Sequence, residues 1–98
     1  MEPNYRLHRR WDRMGRLAGD QGMQQLRSSH VLIVGVGGVG SFAAEAIARS
    51  GVGKISIMDF DLVCATNTNR QLQAMRDTVG KSKVSVLAER LRRIAPDV

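Results

Sequence analysis

The stretch "VLIVGVGGVGSFAAEAIARSGVGKISIMDFD", from Val31 to Asp61, constrains the fold more than any other feature of the chain. "HVLIV" (His30–Val34) is a short continuous apolar run rich in β-branched residues. Such a run suits a strand buried on both faces of a parallel sheet. Directly behind it Gly35, Gly37 and Gly40 form G-x-G-x-x-G. In this arrangement the first glycine serves a tight turn, the second a close approach of phosphate to the backbone, and the third the packing of a helix on the strand. Gly38 is a second position without a Cβ and widens the room over the loop. "GSFAAEAIARS" (Gly40–Ser50) favours a helix. Its small Ala43, Ala44 and Ala48 let that helix lie close to the sheet. "GVG" (Gly51–Gly53) stops the helix, and "KISIMDF" (Lys54–Phe60) reads as a second strand. Strand, helix and strand make one βαβ unit with a right-handed crossover.

Asp59 falls 19 residues after Gly40, at the end of the second strand. A carboxylate there can accept hydrogen bonds from ribose hydroxyls, while the helix N-terminus offers free N–H groups and partial positive charge to phosphate. The plainer alternative for Asp59 is a solvated acid at a strand end. The full order of strand, glycines, helix, strand and acid points to nucleotide binding.

Upstream, residues 5–27 read as helical and basic, interrupted near Gly15, Gly19 and Gly22. Asp20 is placed to cap a helix that carries Met23 and Leu26 inward. Residues 61–79 have no clear period, which predicts a functional loop with a short helical turn around Gln71–Met75. Lys81–Ala95 reads as a helix, with Val84, Leu87, Ala88, Leu91 and Ile94 on one face and Pro96 after its end. The expected fold is therefore α/β, a Rossmann-like parallel sheet with N-terminal helices. Two segments follow: 1–29, helical, and 30–98, the N-terminal part of a Rossmann-like nucleotide-binding domain. Only two strands are visible, whereas a mononucleotide-binding half of this fold has three. The chain is thus expected to stop before the third strand of a longer protein. The alternative is a compact module that completes its sheet with a partner chain.

Composition narrows the classes. The chain has 98 residues and a formal net charge of +6. That balance favours anionic partners, nucleotide phosphates or RNA, although a solvated basic surface has the same composition. With 4% aromatics there is no base-stacking platform to read. A single cysteine, Cys64, excludes an internal disulfide scaffold and a cysteine-rich zinc site. It reads as a small structural residue. His8 and His30 have no partner pattern, and His30 reads as structural. No metal site is assigned to residues of this chain. No apolar run approaches a membrane span, and the N-terminus lacks an apolar signal region. A cytoplasmic protein is expected.

The glycines leave two chemistries open, nicotinamide oxidoreduction and use of ATP. "DFDLVCATNTNRQ" (Asp59–Gln71) separates them. Asn67, Asn69, Arg70 and Gln71 crowd into five residues, and "GKSK" (Gly80–Lys83) follows. Arg70 and Lys83 are cations suited to the phosphates of a triphosphate, whereas a dinucleotide carries only a bridging pyrophosphate. The alternative is that both are surface cations.

These residues resemble the ThiF/MoeB/HesA adenylating enzymes, relatives of the ubiquitin-activating enzymes. The resemblance rests on G-x-G-G-x-G at Gly35–Gly40, D-x-D at Asp59–Asp61, N-x-x-R-Q at Asn67–Gln71, and a lysine, Lys83, shortly after "VG". "RWDR" (Arg10–Arg13) is similar to an upstream R-Y-x-R element of the family. The resemblance implies that Asp59 holds the ribose of ATP. Asn67, Arg70 and Lys83 would hold its phosphates, with Asp61 and Gln71 in the same site. Arg13 would reach the ATP of a partner subunit in a homodimer, with Arg10 and Arg16 as nearby alternatives. The family's magnesium-binding aspartate and its reactive cysteine are expected beyond residue 98, and Cys64 does not match the latter by position.

"VCATNTNRQ" and "RMGRLAGDQGMQQL" look most like the branch of the family that acts on threonylcarbamoyl-modified adenosine in tRNA. The implied reaction activates that carboxylate with ATP and closes it to a cyclic form. Other readings stay open: an adenylating enzyme for a ubiquitin-like sulfur-carrier protein, with a sulfur-transfer protein as partner; a non-catalytic nucleotide-binding or dimerisation module; and, more distantly, a nicotinamide oxidoreductase. The 98-residue chain by itself is expected to be inactive.

Overall fold

The computed structural model of the chain describes residues 11–98. Arg10 and His8 lie outside them. The elements run α1 (Asp12–Ser28), β1 (His30–Val34), α2 (Gly38–Arg49), β2 (Lys54–Met58), a 3-10 turn (Ala65–Asn67) and α3 (Lys83–Ile94). β1 and β2 pair in parallel, with Val31 opposite Ile55, Ile33 opposite Ile57, and Val34 opposite Met58.

Alternation along a strand sends successive side chains to opposite faces. One face carries Ile33, Ile55 and Ile57, which pack on Ala44 and Ala48 of α2, Leu87 and Leu91 of α3, and Val36. The alanines keep α2 near the sheet, while the leucines of α3 fill the remaining space. Arg90 Nε donates to Glu45 Oε1 at 2.6 Å and ties α3 to α2.

Within this chain the other face of the sheet is open. Leu32, Val34 and Met58 are exposed, because α2 and α3 both pack on the opposite face. β2 also ends at Met58, two residues before the expected Phe60. There Gly35 N–H donates to Met58 O at 2.8 Å, and the chain then turns at Asp59. The helical turn sits at Ala65–Asn67 rather than around Gln71–Met75. Asn67 Oδ1 accepts from Cys64 N–H at 2.8 Å and fixes it there, whereas at 71–74 a single backbone bond, Ala74 N–H to Gln71 O, forms. Cys64 is exposed at the start of that turn.

α1 is kinked at Gly19, which takes φ 77° and ψ 170°. Beyond the kink Met23 is fully buried against Trp11, with Leu26 beside them. This cluster seats on the loop after α2, where a Cβ at Gly51 would lie 2.9 Å from Met23 Cε and 3.8 Å from Trp11 Nε1. Arg27 stacks 4.3 Å from the Trp11 ring centroid and its Nη1 donates to Gly51 O at 3.3 Å. α1 therefore joins the fold at the C-terminal end of α2.

Candidate nucleotide site

The glycine loop is built by close approach. Gly35 takes φ 86°, a left-handed conformation that side chains disfavour. A Cβ on Gly40 would lie 1.8 Å from Gly35 O, so the first turn of α2 rests directly on the loop backbone. α2 begins at Gly38, and its N-cap, Gly37, supplies no side-chain cap. The first N–H groups of a helix have no acceptor inside it, and the helix dipole adds positive character at that end. With no acidic residue in the first turn, this end of α2 is suited to an anion.

Asp59 locks the loop from below. Its Oδ2 accepts from Val36 N–H at 3.0 Å and its Oδ1 from Asp61 N–H at 2.8 Å. The Val36 hydrogen bond first, then that of Asp61, hold the Asp59 carboxyl below its ordinary pKa of 3.8, and the charge of Lys83 acts in the same direction. Asp59 is thus ionised at neutral pH. A carboxylate has about four acceptor positions, so capacity remains for a ribose hydroxyl.

The loop after β2 brings the remaining residues over the glycines. The nearest atoms to a Cβ built on Gly38 are Arg70 Cγ and Cδ, both at 3.6 Å. For Gly37 the nearest is Gln71 Nε2, at 3.7 Å. Arg70 Nη1 donates to Thr66 O at 3.0 Å and to Asn69 Oδ1 at 2.9 Å, which aims an exposed guanidinium. Asn67 is buried and its side-chain oxygen is spent on Cys64 N–H, so it shapes the turn that presents Arg70. Lys83 is buried at the start of α3. Its Nζ lies 3.9 Å from Asp61 Oδ2, and its N–H donates to Asp61 O at 3.2 Å.

Of the residues singled out in the sequence, Gly35, Gly37, Gly38, Gly40, Arg70 and Gln71 come together at the start of α2, Asp59 is bonded to the same loop through Val36 N–H, Asp61 and Lys83 join through Asp59 and each other, and Asn67 O accepts from Arg70 N–H at 3.2 Å. Arg13 and Arg16 do not join them. Both are exposed on α1, and Arg16 pairs with Asp12 at 3.2 Å. The sequence reading missed three residues. Gln73 is fully buried and its Nε2 donates to Val36 O at 2.6 Å. Ser41 is buried and its Oγ accepts from Leu72 N–H at 3.3 Å. Thr78 Oγ1 donates to Gln73 O at 2.7 Å. The only signal for Gln73 was the alternation "QLQ", which sets Gln71 and Gln73 two residues apart.

The arrangement fits a nucleotide with a phosphate tail: glycines where a Cβ would crowd the loop, uncapped helix donors, one cation overhead and an ionised acid at the strand end. Among the described residues no three His, Cys, Asp or Glu side chains gather as a ligand set. No helix of the described residues is long and apolar enough to cross a membrane.

An α/β unit of this kind occurs in several enzyme classes, and comparison with known proteins shows the family. The ThiF family model matches residues 11–98, and the chain belongs to the ThiF family. It is 54% identical over 82 residues to tRNA threonylcarbamoyladenosine dehydratase of Escherichia coli K12, covering 84% of this chain and 31% of that protein. It is 42% identical over 77 residues to the molybdopterin-synthase adenylyltransferase of the same organism, covering 79% of this chain and 31% of that protein. The crystal structure of the E. coli dehydratase in complex with ATP superposes with a TM-score of 0.90 at 48% identity, over 98% of this chain and 39% of that one. The chain thus spans about a third of the length of these relatives.

Proposed function

We propose that the protein bearing this chain is an ATP-dependent tRNA threonylcarbamoyladenosine dehydratase, and that the chain supplies much of its ATP site. The observation that carries this reading is the seating of Arg70 and Gln71 over Gly38 and Gly37 at the uncapped start of α2. It is supported by likeness to a dehydratase crystallised with ATP.

A carboxylate is a poor electrophile because its oxygen leaves badly. Adenylation turns it into a mixed anhydride and releases pyrophosphate. An oxygen of the same modified nucleoside then attacks, AMP departs, and the net change is loss of one water. The protein contributes positioning and charge neutralisation. Backbone donors at Gly38–Gly40 hold phosphate, Arg70 and Lys83 offset its charge, and Asp59 accepts from the ribose. Asn67 and Asp61 set the positions of Arg70 and Lys83. Magnesium, which the resemblance implies, has no ligand set among the described residues.

A homodimer belongs to the same reading. Arg13 lies two residues from Trp11, which packs at Gly51 beyond the C-terminal end of α2. The 12 residues of α2 separate that point from the glycine loop by about 18 Å, at 1.5 Å per residue. This favours service by Arg13 to the site of a partner subunit. Similarity to the molybdopterin-synthase adenylyltransferase supports the second reading, adenylation of a ubiquitin-like sulfur-carrier protein.

The deciding experiment incubates the full-length protein with threonylcarbamoyl-modified tRNA, ATP and magnesium, and examines the nucleosides by mass spectrometry. A product lighter by one water is expected. Absence of that product, together with ATP–pyrophosphate exchange that requires a sulfur-carrier protein, would replace the first reading by the second.

A further inference from the structure

Val36 is gripped from both sides. Its N–H is held by Asp59 from the end of β2, and its carbonyl by Gln73 from the loop that carries Arg70. Gln73 is 0% exposed. Its Nε2 is also 3.4 Å from Gln71 Oε1, while its own Oε1 is buried with no hydrogen-bond partner among the described residues. Reversing the amide would set two carbonyl oxygens 2.6 Å apart at Val36, so the donor end must face the loop. A buried amide with an unmatched oxygen is a poor choice for packing alone, since an apolar side chain of equal volume leaves no polar atom unpaired.

The same loop is docked at a second point. Leu72 N–H donates to Ser41 Oγ inside the first turn of α2, and Thr78 holds the Gln73 carbonyl. Gln71, between Arg70 and these contacts, lies over Gly37. Movement at residue 73 therefore moves both the backbone that meets phosphate and the cation above it.

We propose that Gln73 is a positioning residue of the nucleotide site: by its hydrogen bond to Val36 O it sets the glycine loop and the Arg70 loop in register for the phosphates of ATP. This rests on the nucleotide-binding reading, and the test separates the two. Calorimetric titration of the full-length protein with ATP comes first. If the unaltered protein does not bind ATP, the nucleotide reading fails, and with it the proposal. If it binds, Gln73→Met, which keeps the volume and removes the donor, is expected to weaken ATP by about tenfold, the size of one lost buried hydrogen bond. The same variant is expected to raise the Asp59 carboxyl titration, followed by NMR, because a released Val36 no longer holds its N–H on Asp59. Gln73→Glu adds a reversible arm. Ionised, it presents two acceptors to Val36 O. Protonated, it regains a donor, and burial favours the protonated form. Its ATP affinity relative to the unaltered protein at the same pH is expected to recover as pH falls from 8 to 5. A purely structural Gln73 predicts otherwise: ATP affinity and Asp59 titration unchanged in a folded Gln73→Met, or a Gln73→Glu deficit that does not vary with pH. Either result overturns the proposal.

Discussion

The N–H of Val36 donates to Asp59 Oδ2 at 3.0 Å, joining the glycine loop to the end of β2 across 23 residues of sequence. This bond is the main reason that the Asp59 carboxyl titrates below 3.8, with Asp61 N–H and Lys83 adding to it. A carboxyl with a depressed pKa in the folded state stabilises the fold above its unfolded value, and that contribution is lost as pH falls through the folded pKa. Stability measured by urea unfolding is therefore expected to drop on acidification below about pH 4, with a shallower drop in Asp59→Asn. An equally steep acid limb in Asp59→Asn would assign the loss to other groups.

Gly40 and Gly38 are two residues apart and should respond differently to alanine. The Gly40 methyl would meet Gly35 O at 1.8 Å, a backbone atom that cannot swing aside. Overpacking of that kind costs about 3 kcal/mol or more, a large share of the roughly 5–15 kcal/mol that holds a small domain together. The Gly38 methyl meets only the flexible Arg70 chain at 3.6 Å. Gly40→Ala is expected to lower the thermal midpoint sharply. Gly38→Ala should fold like the unaltered protein and bind ATP more weakly.

Arg70 overlies the uncapped start of α2, so its loss should be felt by the distal phosphates of ATP. In Arg70→Ala the affinity for ATP is expected to fall by about tenfold, with AMP affected much less, as for one charge-assisted contact. Equilibrium dialysis with ATP, AMP and NAD measures this. Tighter binding of NAD than of ATP by the unaltered protein would overturn the adenylation chemistry.

Arg13 is exposed on α1, away from the glycine loop of its own chain. At limiting ATP, full-length Arg13→Ala and Arg70→Ala proteins are each expected to lose most of their activity. Mixed with subunit exchange, they should regain about a quarter of the unaltered activity, because half the dimers are mixed and each holds one intact site of two. No recovery after demonstrated exchange would return Arg13 to its own chain or to no role.

Local sequence determined the elements that depend on near neighbours. The β-branched run fixed β1 at His30–Val34. The three- and four-residue apolar spacing placed α3, and the order of glycines, helix, strand and acid marked out the candidate nucleotide site. Tertiary structure decided what depends on distant contacts. Leu32 and Val34 have the composition of a doubly covered strand, and within this chain α2 and α3 share one face and leave both residues exposed. The helical turn moved to Ala65–Asn67 because Asn67 found the Cys64 amide, a choice that composition does not express. Gln73 gave almost no signal, since its partner Val36 is 37 residues away. An amide in a loop is ordinary until the fold buries it, and only then does its hydrogen bond become obligatory.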